Sequence, residues 1–418
     1  MTATPRPKTA PAKPSAPKTS PKKTSASKRP TAKAQTSNTP TKSTQVKKTP
    51  TKKATSKKPT AKKATSKKPT AKKATAKKAT AAKASPRRAP FEIAGTRVTA
   101  GRRKRIEVPI ANLMSGTPVA LPMIVVHGKK AGPVVWLSAA IHGDEIGGVE
   151  IIRQVMEALN APSMAGTVIA VPVVNVHGFN TNDRYLPDRR DLNRSFPGSL
   201  RGSLASRIAS LFMTEVVNRS DVGIDLHTGS DLRTNLPQIR CNIDHAPTRE
   251  LAEVFGAPIV IDAQLRDGSL RQAAVEADKV MLLFEGGEAS RFDPNAIATG
   301  TAGVLRVLNH LGVIAIESPV TTPCLHSRST SWTRASRSGI VHLDARLGDT
   351  VEAKQQVAAI YDPFGKRLSR ILAKHDGIVI GHTQAPLVNR GDAISNIARI
   401  DSQAPQWETA GTLDSEET

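Results

Sequence analysis

The chain has 418 residues, of which 61 are Lys or Arg and 35 are Asp or Glu, giving a formal net charge of +26. This length is enough for about two or three domains, and two cysteines in no recurring motif exclude a disulfide framework. No apolar run approaches the roughly 18 to 20 residues that span a bilayer, and the N-terminus lacks the apolar core of a secretory signal. We therefore expect a soluble, cytoplasmic protein without a transmembrane segment.

The positive charge is confined to the N-terminal end. Residues 1–90 contain 27 Lys and Arg and no acidic residue, whereas the rest of the chain carries 34 basic and 35 acidic residues. Residues 1–88 consist mostly of Lys, Ala, Thr, Pro and Ser, and the decapeptide ATSKKPTAKK occurs twice in succession, at 54–63 and 64–73. So few apolar side chains cannot offset the entropy cost of ordering the chain. We predict a disordered basic tail over residues 1–88.

The composition of this tail indicates a partner. It resembles the Lys/Ala/Pro-rich tails of linker histones and of some bacterial nucleoid proteins. A flexible polycation binds polyphosphate by releasing counterions and without reading base sequence, and no interleaved aromatic residues are present for base stacking. We expect DNA or RNA to bind residues 1–88 and the protein to associate with the nucleoid. Another polyanion, such as an anionic membrane or a cell-surface polymer, and a purely solubilising role are the alternatives.

From residue 89 the sequence alternates between short apolar runs and amphipathic stretches. Strands are predicted at 91–99, 105–110, 122–127, 134–141, 167–174, 222–226, 237–243, 258–261 and 280–284. Helices are predicted at 145–159, 203–217, 248–256, 269–278 and 295–311. Alternating strands and helices favour an α/β domain with a mostly parallel or mixed sheet, here over residues 89–312.

From residue 313 the pattern becomes entirely β. Strands are predicted at 339–343, 356–361, 368–373, 377–383 and 393–400, joined by Gly-Asp and Asp-Pro turns. We predict a β-rich domain over residues 313–403, followed by an acidic C-terminal tail over 404–418. The β-rich domain resembles the hammerhead hairpins of biotinyl and lipoyl domains, but it has no Met-Lys-Met turn, which argues against a swinging-arm carrier.

Side chains that can carry chemistry follow three of the predicted strands. His142 and Glu145 follow one strand, His227 follows a second and Glu285 follows a third. Ligand sites of open α/β sheets lie at the carboxyl ends of such strands. A histidine and a glutamate three residues apart are weak evidence alone, because a capping acid beside a loop histidine gives the same pattern. Two histidines, one glutamate and a further glutamate, however, match a His₂Glu zinc site with a separate general base.

Four motifs in this order resemble the succinylglutamate desuccinylase/aspartoacylase family, whose members are related to the zinc carboxypeptidases. They are HGDE at 142–145, Arg184 with the following DLNRSFPG up to residue 198, IDLHTG at 224–229, and Glu285-Gly-Gly. The resemblance covers about residues 95–400. It implies a zinc-carboxypeptidase-like mixed sheet with flanking helices, and a smaller C-terminal β unit that packs beside the active site and shapes its mouth.

The resemblance also implies a metal centre. It implies one Zn²⁺ per chain, with His142, Glu145 and His227 as ligands and Glu285 as the general base. A catalytic zinc with three protein ligands keeps its fourth position open for water or substrate. The carboxylate takes a proton from that water and passes it to the leaving amine.

The loop at 175–198 supplies the remaining residues that the resemblance implies. It is long, polar and without periodicity, and loops of this kind are usually functional or disordered. Asn193 and Arg194 resemble the pair that holds the substrate carboxylate, for which the planar guanidinium is well suited. Arg184 resembles the arginine that helps to polarise the scissile carbonyl, where a cation stabilises the developing oxyanion.

Two assignments stay open in the sequence. Glu288 lies three residues after Glu285 and could share the role of base, bind Arg291 or start the next helix. We favour Glu285 because it follows the strand directly. Asp225 precedes His227 by two residues, so in a strand both side chains point the same way; it could support the metal ligand or simply cap a loop.

These patterns predict a zinc-dependent amidohydrolase that removes the acyl group from an N-acyl amino acid or a similar small carboxylate. Two alternatives remain. The protein could be a nucleic-acid or polyanion binder that uses the hydrolase fold as a scaffold, or a zinc carboxypeptidase that acts on peptides.

Overall fold

A computed structural model of the chain describes residues 88–230, 232–317 and 323–400. Nearly all of the predicted basic tail and the predicted acidic tail therefore lie outside the described residues. A sheet of 13 strands runs through the described part, accompanied by a separate sheet of four strands and a two-stranded hairpin. The expected mixed α/β fold with C-terminal β strands is confirmed.

The α/β part contains ten strands and six helices. The strands are β1 (Phe91–Ile93), β2 (Thr96–Val98), β3 (Arg102–Asn112), β4 (Pro118–His127), β5 (Lys130–Ala139), β6 (Ala165–Val171), β7 (Val222–Gly229), β8 (Arg233–Cys241), β9 (Ile259–Asp262) and β10 (Val280–Glu288). The helices are α1 (Gly147–Ala158), α2 (Val176–Thr181), α3 (Leu204–Glu215), α4 (Ala246–Phe255), α5 (Leu270–Glu276) and α6 (Pro294–His310). Single 3₁₀ turns lie at Leu192–Arg194 and Val217–Arg219.

In the described residues after α6, all regular elements are strands. They are β11 (Leu325–Ser327), β12 (Thr330–Arg334), β13 (Gly339–Leu343), β14 (Thr350–Val351), β15 (Gln356–Tyr361), β16 (Arg367–Leu372), β17 (Gly377–Thr383), β18 (Leu387–Val388) and β19 (Ala393–Ala398). Strands β16, β15, β13 and β18 form the four-stranded sheet. Strands β17 and β19 instead extend the large sheet beyond β8, so the α/β part and the β-rich part share one hydrogen-bonded ladder.

The order of strands in the large sheet fixes where the site can form. Along its main path the order is β12-β19-β17-β8-β10-β7-β5-β6-β4-β3. Strands β6, β5, β7 and β10 are mutually parallel neighbours, and β8 runs antiparallel to β10. The carboxyl ends of β5, β7 and β10 therefore meet at one edge, where ligand sites of such sheets lie.

Helices cover both faces of the sheet. On one face α4 and α6 contribute Phe255 and Val304 to a buried cluster, and on the other face α3 contributes Phe212 to a second cluster. Trp136 of β5 is fully buried in the second cluster. Gly223 on β7 leaves room for its indole, because a Cβ there would lie 1.9 Å from Trp136 Cζ2. Burial of both faces explains why these strands are continuous apolar runs.

Some elements differ from the sequence prediction in detail. The single strand predicted at 91–99 is the hairpin β1–β2, because Ala94 and Gly95 both have positive φ and turn the chain. The predicted loop at 175–198 contains the short helix α2, which Asn175 caps by accepting a hydrogen bond from the Gly178 amide. In the described ranges, no helix combines the length and apolar character needed to cross a membrane.

Candidate metal centre and active site

The histidines and glutamates singled out in the sequence meet at the carboxyl edge of the large sheet. His142 and Glu145 lie in the turn between β5 and α1, and His227 lies near the end of β7. Glu285 on β10 is the direct register partner of His227 on β7. Partners in a parallel ladder present their side chains on the same face of the sheet, so Glu285 and His227 share one face.

Glu145 lies between the two histidines. Its Oε1 is 2.7 Å from His142 Nδ1, and its Oε2 is 2.8 Å from His227 Nδ1. One nitrogen or oxygen atom from each of the three residues lies within 4.8 Å of the others. All three residues are at most 5% exposed. In the described ranges this is the group of His, Cys, Asp and Glu side chains that could hold a metal ion.

The charges around this cluster suit a cation. Burial alone would raise the pKa of Glu145, but the charges and hydrogen bonds of His142 and His227 bring it well below its ordinary value. Burial alone would lower the pKa of His227, but the charges of Asp225 and Glu145 raise it well above its ordinary value. The pKa of His142 is also raised, since Glu145 and Asp191 outweigh burial. The carboxylates around the two imidazoles therefore favour a positive charge at this place. Two imidazoles and one carboxylate are also a donor set that fits Zn²⁺.

Two further carboxylates lie next to the histidines, and one of them is hydrogen-bonded. His227 Nε2 donates to Asp225 Oδ2 at 2.7 Å, and Asp225 Oδ1 accepts from Ser138 Oγ at 2.7 Å. This contact leaves His227 Nδ1 facing Glu145. On the other side, Asp191 Oδ1 lies 3.4 Å from His142 Nε2. Carboxylates in these positions fix the ring orientation of metal-binding histidines.

Sequence reasoning missed Asp191, although it is part of the DLNRSFPG stretch. Its Oδ1 accepts from the Asn193 amide at 2.8 Å, and its Oδ2 accepts from Arg184 at 3.1 Å. Arg184 also donates to Glu145 Oε1 at 3.0 Å. Asp191 thus connects Arg184 to the loop that carries Asn193. An aspartate that directly precedes a helical turn is a common capping pattern, and the sequence offered no sign that it would also lie near His142.

The structure separates the two candidate bases. Glu285 is half-buried and lines the same cavity as the histidines. Its Oε2 accepts from Asn235 Nδ2 at 2.6 Å, and its Oε1 lies 3.7 Å from Arg240 Nε. Glu288 does not line that cavity, and its carboxylate lies 3.4 Å from Arg291 Nε. This arrangement favours Glu285 as the candidate base. Glu288 instead forms the ion pair with Arg291.

The cavity has a volume of about 800 Å³. Asn193 and Arg194 line it together with His142, Glu145 and His227, and Asn193 Oδ1 accepts from the Leu270 amide at 2.9 Å. The C-terminal strands contribute Trp332 and Asn396. Its lining is rich in arginine: Arg184, Arg194, Arg233, Arg240, Arg266, Arg271 and Arg328. Its acidic lining residues are fewer: Glu145, Asp225, Asp262 and Glu285.

The chain is similar to known proteins over most of the described residues. Residues 131–311 match the model of the succinylglutamate desuccinylase/aspartoacylase catalytic domain. An N-alpha-acetyl-L-2,4-diaminobutyric acid deacetylase from Halomonas elongata is 29% identical over 309 residues, which cover 71% of this chain and 90% of that protein.

Solved structures agree with this match. A succinylglutamate desuccinylase/aspartoacylase from Rhodobacter sphaeroides is 27% identical, with a TM-score of 0.64, over 72% of this chain and 96% of that one. A product-bound ectoine utilization protein from Ruegeria pomeroyi has a TM-score of 0.65 and is 23% identical, over 72% and 97% of the two chains. The latter likeness shows the fold alone.

The fold is therefore the mixed α/β fold of the desuccinylase and aspartoacylase structures, with a buried His-Glu-His cluster at the carboxyl edge of its sheet. Over residues 131–311 the chain is similar to the catalytic domain of the succinylglutamate desuccinylase/aspartoacylase family. The resemblance expected from the four sequence motifs is confirmed.

Proposed function

We propose that the protein is a zinc-dependent amidohydrolase that cleaves the amide bond of an N-acyl amino acid or a similar small carboxylate. The observation that carries the proposal is the meeting of His142, Glu145 and His227 in one buried cluster, with Glu285 beside His227 in the ladder and in the same cavity. The relative from Halomonas elongata is named as a deacetylase, and this name supports amide cleavage.

His142, Glu145 and His227 would hold the zinc ion, one per chain. When bound, such an ion polarises a carbonyl group and lowers the pKa of water. Glu285 then accepts a proton from the attacking water and delivers it to the leaving nitrogen. Asp225 and Asp191 keep the two imidazole rings oriented through the contacts described above.

Two arginines of the site interact with negatively charged groups of the substrate. Arg184 donates to Glu145 and Asp191, and its cation stabilises the oxyanion that develops at the scissile carbonyl. Arg194 is exposed, lines the cavity and binds the substrate carboxylate with Asn193. The arginines that line the cavity support an anionic substrate.

The test is a panel of N-acyl amino acids and short peptides, assayed with the wild-type protein and with Glu285→Gln. We expect hydrolysis of one or more acyl amino acids by the wild type. Glu285→Gln should keep its metal and lose about 10²- to 10⁴-fold in rate, because the proton acceptor is gone. Loss of metal in this variant would instead make Glu285 a ligand. A preference for peptides would favour the zinc carboxypeptidase alternative.

The predicted binding of nucleic acid is a second, separable proposal. It rests on the confinement of positive charge to residues 1–88, nearly all of which lie outside the described residues. Arg88, at the end of that segment, is described: its guanidinium donates to the Gly166 carbonyl at 2.6 Å. The predicted domain limits at 88/89, 312/313 and 403/404 also stay proposals.

A further inference from the structure

The proposed base has a different neighbour at each carboxylate oxygen. Asn235 Nδ2 donates to Glu285 Oε2 at 2.6 Å, whereas Oε1 lies 3.7 Å from Arg240 Nε. Asn235 is 8% exposed. A hydrogen bond from a nearly buried amide fixes Oε2 of the carboxylate, whereas Oε1 is beyond hydrogen-bond distance of Arg240 Nε. An amide donor also has no site that readily takes a proton from the base.

An irregularity in the sheet brings Asn235 to this position. Strand β8 pairs with β10 so that Gln238 is opposite Glu285, but Asn235 is opposite Gly287. Three residues of β8 therefore span the same distance as two residues of β10, as in a β-bulge. Without the extra residue, Leu236 would be opposite Gly287 and the amide would point away from Glu285.

The C-terminal strand β17 leaves space for the same amide. Gly381 on β17 is the register partner of Asn235. A Cβ at Gly381 would lie 2.8 Å from Asn235 Oδ1, closer than such atoms approach. The φ of Gly381 is not in the left-handed region, so the backbone conformation alone would tolerate alanine. An alanine at this position would therefore displace the side chain of Asn235.

We propose that Asn235 is a positioning residue for Glu285, and that Gly381 keeps open the space in which the Asn235 amide reaches it. This inference rests on the proposed function, because it gives Glu285 the role of base. It makes the C-terminal β strands part of the catalytic machinery, since they determine where the base lies. Catalytic groups need such support to stay within a fraction of an ångström of their productive geometry.

The first test replaces Asn235 in the full-length, metal-loaded protein. Asn235→Leu keeps the size and removes the donor, so kcat should fall about 10- to 100-fold, the usual loss when a supporting partner is removed. KM and metal content should change little. Asn235→Gln retains an amide donor and should recover part of kcat. An unchanged kcat would overturn the proposal, and so would a raised KM at unchanged kcat, which would make Asn235 a substrate ligand.

The second test is a pair of double-mutant cycles. Gly381→Ala should lower kcat in the wild-type background and have no further effect in Asn235→Ala, where the side chain that needs the space is gone. Asn235→Leu should likewise have no further effect in Glu285→Gln. Independent losses in either cycle would contradict the proposal, because each residue would then act by another route. Circular dichroism and thermal melting check that each variant is folded.

The role of Glu285 and the role of Asn235 can be tested separately. If Glu285→Gln hydrolyses the substrate at the wild-type rate, the proposed base is wrong and the proposed function must be revised. If Glu285→Gln is impaired but Asn235→Leu has the wild-type kcat, only the positioning role fails.

Discussion

At the scale of single residues, Glu145 is the most constrained side chain of the site. Both of its oxygens face histidine nitrogens, Arg184 donates to Oε1 and the Thr228 amide donates to Oε2 at 3.2 Å. A fully buried carboxylate is costly unless it is paired. Here its partners are the side chains that would share a metal ion with it, so the energetic cost of its burial is offset within the site itself.

Removing the support of one ligand should weaken the metal site without dismantling it. Asp225→Asn replaces the carboxylate oxygen that accepts from His227 Nε2–H with an amide group. We expect zinc affinity to fall about 10- to 100-fold. Competition with a chromogenic chelator measures this change. Asp278→Asn, an exposed position before the start of β10, is the matched control. Equal affinities in the two variants would show that Asp225 does not support the ligand.

At the scale of elements, the parallel strands β5, β7 and β10 determine the site. Their apolar sequences made them recognisable as buried strands, and a polar side chain after each strand end predicted where chemistry would lie. His142, Glu145, His227 and Glu285 were therefore accessible from the sequence.

Other parts of the site were not accessible from the sequence. Asn235 and Arg240 lie on β8, which carries no recognisable motif. They lie near Glu285 because β8 is antiparallel to β10, and for Asn235 the bulge is needed as well. Strand order and register depend on long-range packing that local periodicity does not contain. Trp332 comes from a strand that joins the sheet more than 100 residues after His227, so its place in the cavity wall could not be predicted.

Packing between β5 and β7 gives a prediction for the framework. Gly223→Ala would place a carbon 1.9 Å from the buried Trp136 ring, and the sheet cannot open without losing the β5–β7 ladder. We expect a destabilisation of at least about 1–3 kcal/mol, as for other overpacked cores. Urea denaturation of the metal-free protein measures it. Gly365→Ala, where a Cβ would meet no atom within 4 Å but φ is +86°, measures the strain of a left-handed alanine without a clash. A loss in Gly223→Ala no larger than in this control would mean that the Trp136 contact is not the cause.

At the scale of the whole molecule, the chain combines a nearly neutral body with a strongly basic N-terminal segment. The arginine-rich cavity belongs to the body, and the described residues that form it begin at His142. Catalysis and any binding of nucleic acid are therefore expected to be independent. Arg88 marks a natural limit for a truncation, because it is attached to the sheet through Gly166.

Deletion of residues 1–87 should leave kcat/KM for the acyl amino acid unchanged. The same deletion should abolish a salt-sensitive retardation of DNA in gels, because counterion release by the lysines drives such binding. A variant of full length with the tail lysines changed to glutamine separates charge from chain length. DNA binding that survives both changes would locate the nucleic-acid site elsewhere, and a large loss of kcat/KM would mean that the segment takes part in catalysis.

The most direct test of the account measures zinc per chain and turnover in the same sample, before chelation, after it and after zinc is returned. We predict one zinc per chain, loss of turnover with the metal and recovery with it, and no stoichiometric zinc in His227→Ala. Full turnover by metal-free protein, or an undiminished zinc content in His227→Ala, would contradict the central claim.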